Sequence, residues 1–520
     1  MNAQKPLWQR PTWWIAAAVA ARNAGGLRQI RQTLQWVDQT PGGTPSPMPT
    51  SPMVLHVVIP VLREQQQIAG ALTWFVPLLR DYPGSTLTLV STDREGRERD
   101  HLVEQLVGAA EGDLTVQRFP QLADDEIAAL AQELRDSGED ALTRARAASV
   151  LWAFPLTAEV VDWEMALVEQ PAPPIRHVRY EGDGRKAAQV NAAVEQLGAA
   201  SAAEYIAIYD VDSRPSAELL RRTAEFLGSR QAVAGELPFV VQQSARFVTQ
   251  DAAATWWERS LCRGAARAQT LWTIRREIPN LRHYARSVRR PARSPLREAL
   301  TRGLAQTVGH GLLVRADVYR AAGGLPMFTV LDDVAFGYRL TMGRIPVDSV
   351  PFTSAAAAAE YLPELLSQSE RWFQCYLDYP HCAVRWHGQG HGTRLDHAAA
   401  LGVGVYRGMA WLLVSLATAA CLALALGPRT SLPVRATAAA ALWMGVVVPV
   451  RLLAEAEGRP LTARETARQS AETLAGTLLK SVGPMIALAR WAATGSRHSV
   501  LAPKSNRRTG SPTTQDREIP

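Results

Sequence analysis

Three apolar runs in this chain end in carboxylates, and that repetition limits the fold more than any other feature. VLHVVIPVLRE (54–64), TLTLVSTD (86–93) and YIAIYDVDSRP (205–215) each read as a buried strand that turns polar and acidic at its carboxyl end. Between and after them the apolar spacing switches to helical. IAGALTWFVPLLRDY (68–82), RERDHLVEQLVGAAEG (97–112), RKAAQVNAAVEQLGAA (185–200) and SAELLRRTAEFLG (216–228) read as helices, the first kinked or ended by Pro77. LTVQRFP (114–120), IRHVRY (175–180), AVAGELPFV (232–240) and IPVDSVP (345–351) read as further strands. Strands alternating with helices predict an α/β domain built on a mostly parallel sheet.

The α/β pattern starts after a Pro/Gly/Ser/Thr-rich linker, 40–53, and runs to about 400. Two stretches interrupt it. Residues 121–170 are acidic with helical patterning, and 244–305 are mostly helical, with Trp256, Trp257, Trp272 and many arginines. EYLPELLSQSERWFQCYLDY (360–379) reads as a helix broken near Pro363.

From 401 to 495 the character changes to that of a membrane region. MAWLLVSLATAACLALALG (409–427) carries no charge and is long enough to cross a bilayer. ATAAAALWMGVVVPVRLLA (436–454) is a second such run, and the short connector predicts a helical hairpin. The stretch 474–495 contains Lys480, Pro484 and Arg490 and reads as interfacial or re-entrant. Arginines in 451–470 and in the basic tail 496–520 keep both flanks of the hairpin cytoplasmic. The expected location is therefore the cell membrane, multi-pass, with the α/β domain on the cytoplasmic side. Residues 1–39 hold a Trp-rich apolar core at 13–21, too short to span, which suits interfacial or amphipathic helices.

The net charge of +7 admits nucleic acid, an anionic membrane or an acidic substrate as partner. The chain has no zinc-finger, RNP or basic-zipper pattern, and its arginines lie among apolar residues, which favours membrane over nucleic acid. Four cysteines without a CxxC pair exclude a disulfide framework.

Ligands of open α/β sheets bind beyond the carboxyl ends of the strands. In extended chain Asp210 and Asp212 point the same way while Val211 points into the fold. Two carboxylates at such a mouth suit a hard cation, Mg²⁺ or Mn²⁺, able to neutralise a diphosphate. A lone DxD is also an ordinary solvated turn; its company is what weighs. Asp93 stands at another strand end, Asp332–Asp333 opens a helical stretch, and Gln368, Arg371 and Trp372 form QSERW on a later helix.

The ordered set VVIPVLRE, STD, GDGRKAAQVNAA, DVDSRP, GHGLLVRADVYRAAGGLP, LDDVAFGYRL and QSERW resembles glycosyltransferase family 2, the inverting GT-A enzymes that include cellulose, chitin and hyaluronan synthases and ceramide glucosyltransferase. The resemblance covers about 54–380. It implies a GT-A catalytic domain followed by a C-terminal membrane hairpin. It implies Asp333, with Asp332 beside it, as the catalytic acids, and Asp212 and Asp210 as metal ligands. Glu64, Asp93, Lys186, Asp210, Gln368, Arg371 and Trp372 would bind the nucleotide-sugar, expected to be a UDP-sugar. His310 would lie near the acceptor. The family often has Glu–Asp where this chain has Asp332–Asp333, and tyrosine-asparagine-glutamate where it has LRE.

Implied partners are the donor, a lipid or saccharide acceptor, the membrane, and homo-oligomers or partner subunits that would complete a channel. A processive polysaccharide synthase and a non-catalytic scaffold with a degenerate transferase fold are the alternatives. HCAVRWHGQGHG (381–392) reads as a glycine-rich lid after QSERW; a zinc site using His387 and His391 is the rival reading.

Overall fold

The computed structural model describes residues 11–38, 53–97, 155–169, 172–182, 185–198, 203–250, 255–329 and 331–495. The linker, most of 97–170 and the tail lie outside them.

Helix α1 (Pro11–Asp38) precedes a seven-stranded sheet. Its strands are β1 (Val54–Pro60), β2 (Thr86–Thr92), β3 (Ile175–Tyr180), β4 (Glu204–Ile208), β5 (Val240–Val248), β6 (Leu312–Arg315) and β7 (Val347–Ala357), in the order β3-β2-β1-β4-β6-β5-β7. All neighbours pair in parallel except β6, which runs antiparallel to both β4 and β5. The mostly parallel sheet predicted from the strand–helix alternation is thus present, with one reversed strand that the alternation does not predict. The interior strand β1 is apolar on both faces. Leu55, Val57 and Ile59 enter one core with α2 (Gln65–Arg80) and α3 (Thr157–Ala166), while Val58 enters the opposite core with α4 (Lys186–Glu195). A strand buried on both faces is what a continuous apolar run encodes.

Several boundaries differ from the sequence expectation. Residues 232–234 extend α5 (Ala217–Ala234) rather than begin a strand, because Gly235 at φ +79° supplies a left-handed cap and β5 starts only at Val240. The helical insertion is α6 (Trp256–Trp272), a π turn (Thr273–Glu277) and α7 (Ile278–Arg289) in continuous succession. Proline follows two residues after that π turn, at Pro279, and again at Pro449 after the π turn Trp443–Val447. Proline cannot donate to the carbonyl four residues back, and the widened turn absorbs the loss.

After α8 (Pro295–Arg302) and the short α9 (Ala316–Ala321), α10 (Asp332–Met342) leads into β7. Helix α11 (Leu362–Gly388) is longer than predicted: Pro363 sits in its first turn, where no donor is needed, and Pro380 is carried inside it. The expected lid is therefore mostly helix. Only 389–393 form a turn, with Gly390 and Gly392 at positive φ. Among the described residues no group of three or more His, Cys, Asp or Glu side chains is placed to hold a metal, so His387 and His391 anchor no zinc site.

The run 409–427 does not form one straight helix. It straddles a 42° bend between α12 (Arg394–Leu412) and α13 (Val414–Leu426). The run 436–454 lies within one helix, Leu432–Ala456, the one unbroken described helix long and apolar enough to cross a membrane. Helix α1 packs against this region: Ala16 meets Cys421, Ala438 and Ala441, and Asn23 Nδ2 donates to the Ala441 carbonyl at 2.9 Å.

Helix α14 (Ala463–Leu479) crosses α6 at backbone contact. A Cβ on Gly264 would lie 1.9 Å from the Glu472 carbonyl oxygen, and one on Gly476 would lie 2.4 Å from Ala265 N. Gly264→Ala or Gly476→Ala is expected to destabilise the protein by roughly 1–3 kcal/mol, since one methyl must push two backbones apart. Gly402→Ala, on an open helix face, is expected to change stability by less than about 1 kcal/mol. Thermal melting of the three variants in detergent checks this.

Candidate active site

The carboxyl end of β4 lies beside the amino end of antiparallel β6, with Ile208 opposite Leu312. That one reversed strand carries the 306–311 loop to DVDSRP, about a hundred residues earlier in sequence. Strands β5 and β7 continue past β6 on the same side. Together they border a cavity of about 400 Å³ that also takes residues from α10 and α11. Lys186, Asp210, Asp212, His310, Asp332, Asp333, Gln368, Arg371 and Trp372 all line it. Glu64 and Asp93 do not. Glu64 is buried at the start of α2. Asp93 follows β2, pairs with Arg97 and accepts from Gly182 N at 2.9 Å.

DVDSRP is a turn, not a strand end: β4 stops at Ile208 and Ser213 N donates to the Asp210 carbonyl at 2.9 Å. The expected alternation survives inside the turn. Val211 is 1% exposed and packs in the core under the sheet, while both aspartates face the cavity. Asp212 is exposed, with no hydrogen-bond or ion-pair partner among the described residues. Asp210 accepts from Lys186 Nζ at 2.6 Å, and the same ammonium donates to the Gly309 carbonyl at 2.7 Å.

Lys186 gathers the acids. Burial works against its charge, but Asp210, Asp332 and Asp333 outweigh burial and raise its pKa above the ordinary lysine value. Gly309 packs against both Lys186 and Asp333: a Cβ there would stand 2.8 Å from Lys186 Nζ and 3.0 Å from Asp333 Oδ2. The glycine in VGHG is required by that wedge.

Asp332 and Asp333 occupy the first turn of α10, where the helix favours anions. Asp333 N donates to Asp332 Oδ1 at 2.9 Å and Val334 N to Asp333 Oδ1 at 2.7 Å. Burial nevertheless dominates and raises both carboxyls above the usual range, with Asp333 adding to the rise at Asp332 and Lys186 opposing it at both. Gln368, Arg371 and Trp372 fall at i, i+3 and i+4 on α11 and so share one face. Arg371 has no ion-pair partner among the described residues, leaving its guanidinium available to an anion. Trp372 packs at a tilt against Phe247 at 6.2 Å, and Phe247 meets His310 edge-on at 6.4 Å, forming an aromatic wall. Burial lowers the His310 pKa below the ordinary imidazole value.

Sequence reasoning missed the side chains that brace this loop cluster. Gln242 Oε1 accepts from Val308 N at 2.9 Å while its Nε2 donates to the His310 carbonyl at 3.0 Å. Gln189 Nε2 ties the ends of β1 and β2 through the Val61 and Val90 carbonyls at 3.0 and 2.7 Å. Glu95, 3% exposed, accepts from Thr157 N and Thr157 Oγ1 at 2.9 and 2.5 Å. Asn191, in the quoted KAAQVN stretch, clamps Leu325 through N–H and carbonyl at 2.9 Å each, away from the cavity lining. No spacing rule marks such residues, because their partners are backbone groups far along the chain.

The donor set suits a cation that arrives with a ligand better than a resident one. Asp210 and Asp212 are two carboxylates where a hard cation takes six or more oxygens, and phosphate oxygens would complete the shell. Scans against family models and against curated proteins find no match. Among solved structures, the chain is similar to the mannosyltransferase PcManGT of Pyrobaculum calidifontis, solved with GDP-Man and Mn²⁺. The two are 14% identical over 90% of this chain and 98% of that one, with a TM-score of 0.37. At that score the likeness decides neither fold nor function.

Glu277 also lines the cavity, 4% exposed, with Oε2 3.4 Å from Thr273 Oγ1. Burial raises its pKa from 4.5 to about 7. A raised carboxyl favours folding while protonated, and that contribution is lost as pH climbs through the folded value. Glu277→Gln should therefore match wild type below pH ~4 and become progressively more stable between about 4.5 and 7, by up to about 3 kcal/mol. Melting curves of both proteins across that pH range test the sign.

Proposed function

We propose that this chain is a membrane-associated inverting glycosyltransferase of the family 2 type. It would move a sugar from a nucleotide-diphosphate sugar, a UDP-sugar by expectation, to a lipid or saccharide acceptor. The observation that carries the proposal is the single cavity lined by Lys186, Asp210, Asp212, Asp332, Asp333, Gln368, Arg371 and Trp372, drawn from four separate sequence stretches. A scattered set of chance motif matches would have no reason to converge.

In this reading Asp333 accepts the proton of the acceptor hydroxyl as that oxygen attacks the anomeric carbon from the face opposite the leaving group. The bond to the diphosphate oxygen breaks with its electron pair, and the nucleoside diphosphate departs. Arg371 and Lys186 stabilise its growing charge. The raised pKa of Asp333 suits a base that must hold a proton after transfer. Asp332 sets Asp333 through the bond to its N–H. Asp210 and Asp212 would hold Mg²⁺ or Mn²⁺, which supplies charge neutralisation at the diphosphate. Trp372 offers an indole face to the C–H side of a sugar.

The membrane assignment rests on the apolar helix Leu432–Ala456 and the bent pair before it. Trp411, from the first helix of the bent pair, and Lys480, which follows α14, line the same cavity as the acids, which suits an acceptor approaching from the membrane side.

The test is nucleoside diphosphate release by the detergent-solubilised protein across a panel of nucleotide sugars with Mn²⁺, with and without membrane lipid extract. Asp333→Asn should lower release by roughly 10²–10⁴-fold while leaving donor binding nearly unchanged. Asp212→Asn should weaken cation-dependent donor binding. A product of one mass indicates a lipid or single-saccharide acceptor, and a ladder indicates a polymer. Release that survives Asp333→Asn sinks the assignment of the base. No release and no donor binding with any nucleotide sugar leaves the scaffold reading standing.

A further inference from the structure

A second cavity, of about 470 Å³, opens at the other end of β7. Asp348 and Ser349 form its floor, while Ser354–Ala357 of the same strand line the cavity with the acids, roughly 20 Å further along. Five arginines surround the second cavity: Arg230 from α5 and Arg282, Arg286, Arg289 and Arg290 from the end of α7. The last four fall at i, i+4, i+7 and i+8, so they crowd one helix face.

Asp348 is the one carboxylate in the lining. Asp348, 6% exposed, takes Arg289 in a two-point pair, with Nη1 at 2.8 Å, and lies 3.8 Å from Arg230. Arg286 and Arg290 have no acidic partner among the described residues. Arg230 Nε is buried without a hydrogen-bond partner. Arg282 lies over the Trp36 ring at 4.1 Å; burial and then the Arg286 charge lower its pKa. The carbonyl end of α7 explains cations in its last turn, but not Arg282 or Arg230, which come from an earlier turn and another helix. Like charges gathered in a concave, partly dry site repel one another, and a bound anion relieves that repulsion.

The geometry points to a phosphate-binding site in this cavity, separate from the one that holds the acids, taking a multiply charged phosphate group on Arg282, Arg286, Arg290 and Arg230. Guanidinium forks match phosphate oxygens two at a time, and several converging forks select a dianion over chloride or a lone carboxylate. The Trp36 ring keeps Arg282 in place and walls one side against water. The same chemistry is offered by a soluble phosphate ester or by a phosphomonoester lipid headgroup. The inference does not depend on the proposed transferase activity.

The test uses the full chain in detergent with EDTA, which removes cation-dependent binding at the acids. In one arm inorganic pyrophosphate is titrated by calorimetry. In the other the micelles are doped with phosphatidic acid, against phosphatidylcholine, and melting temperature is read. Wild type should bind pyrophosphate or be stabilised by phosphatidic acid. Arg286→Ala/Arg290→Ala, both exposed and free of ion pairs, should weaken that response by roughly tenfold or more. Arg371→Ala, in the other cavity, should leave it unchanged. An arginine-dependent response in either arm supports the site and names its source. If neither arm responds, or if the response follows Arg371 and not Arg286 and Arg290, the proposal is overturned and these arginines are a solvated face.

Discussion

The Lys186 ammonium is the contact on which the arrangement of acids depends. Asp210, Asp332 and Asp333 enclose it in a partly dry cavity, and it bonds Asp210 and the Gly309 carbonyl directly. Without a cation at that point the carboxylates would repel at low effective dielectric and could not all stay charged. Burial already raises the Asp332 and Asp333 pKa values even with Lys186 opposing the rise. The ammonium also fixes the VGHG loop, because its second bond goes to that loop's backbone. One side chain therefore links the end of β4, the loop before β6 and the start of α10, three pieces that no strand pairing alone brings within reach of one another.

The topology makes this contact affordable to the fold. A sheet of parallel strands alone would leave the carboxyl end of β4 facing only the loops of its parallel neighbours. Reversing β6 brings an amino-terminal loop to that end, and the glycine at 309 lets Lys186 and Asp333 both approach it closely. Gln242 and Gln189 then supply the polar bonds that the buried loop backbones need. The acids sit on braced turns, which is what a site needs if its charges are to be aimed before a ligand arrives.

The sheet and the converging residues were legible because both are written as local patterns. Apolar runs ending in acids marked β1, β2 and β4, and QSERW showed its shared face by i, i+3, i+4 spacing. Helix ends were less legible. Whether 232–234 belong to a helix turned on the conformation of Gly235, and whether 381–388 form a lid turned on how far α11 could continue past Pro380. The bend near Leu413 interrupts a run that composition alone presents as a single span. Glu95, Gln189 and Gln242 were not legible at all, since a buried polar residue is recognisable only once its distant backbone partners are known. Glu64 and Asp93 carry a motif's residue types yet stand outside the cavity lining.

The apolar helices are also part of the site's walls, and this bears on how the chain can be divided. Trp411 and Lys480 line the cavity from beyond residue 400, and Trp411 Nε1 donates to the Lys480 carbonyl at 2.8 Å, joining α12 to the end of α14. Helix α14 in turn crosses α6 at backbone contact, and α6 runs on through the π turn into α7. From the amino-terminal side, Ile30 of α1 packs with Leu271, Ile274, Val450 and Leu453. A cut at 400 would remove part of the cavity wall and expose the glycine face of α6. The sheet would keep its own two cores, but the cavity would open to water on the side where its aromatic residues lie. The acids would then gain solvent and their raised pKa values would fall toward ordinary carboxylate values, so Asp333, the base in the proposed reaction, would lose what burial gives it.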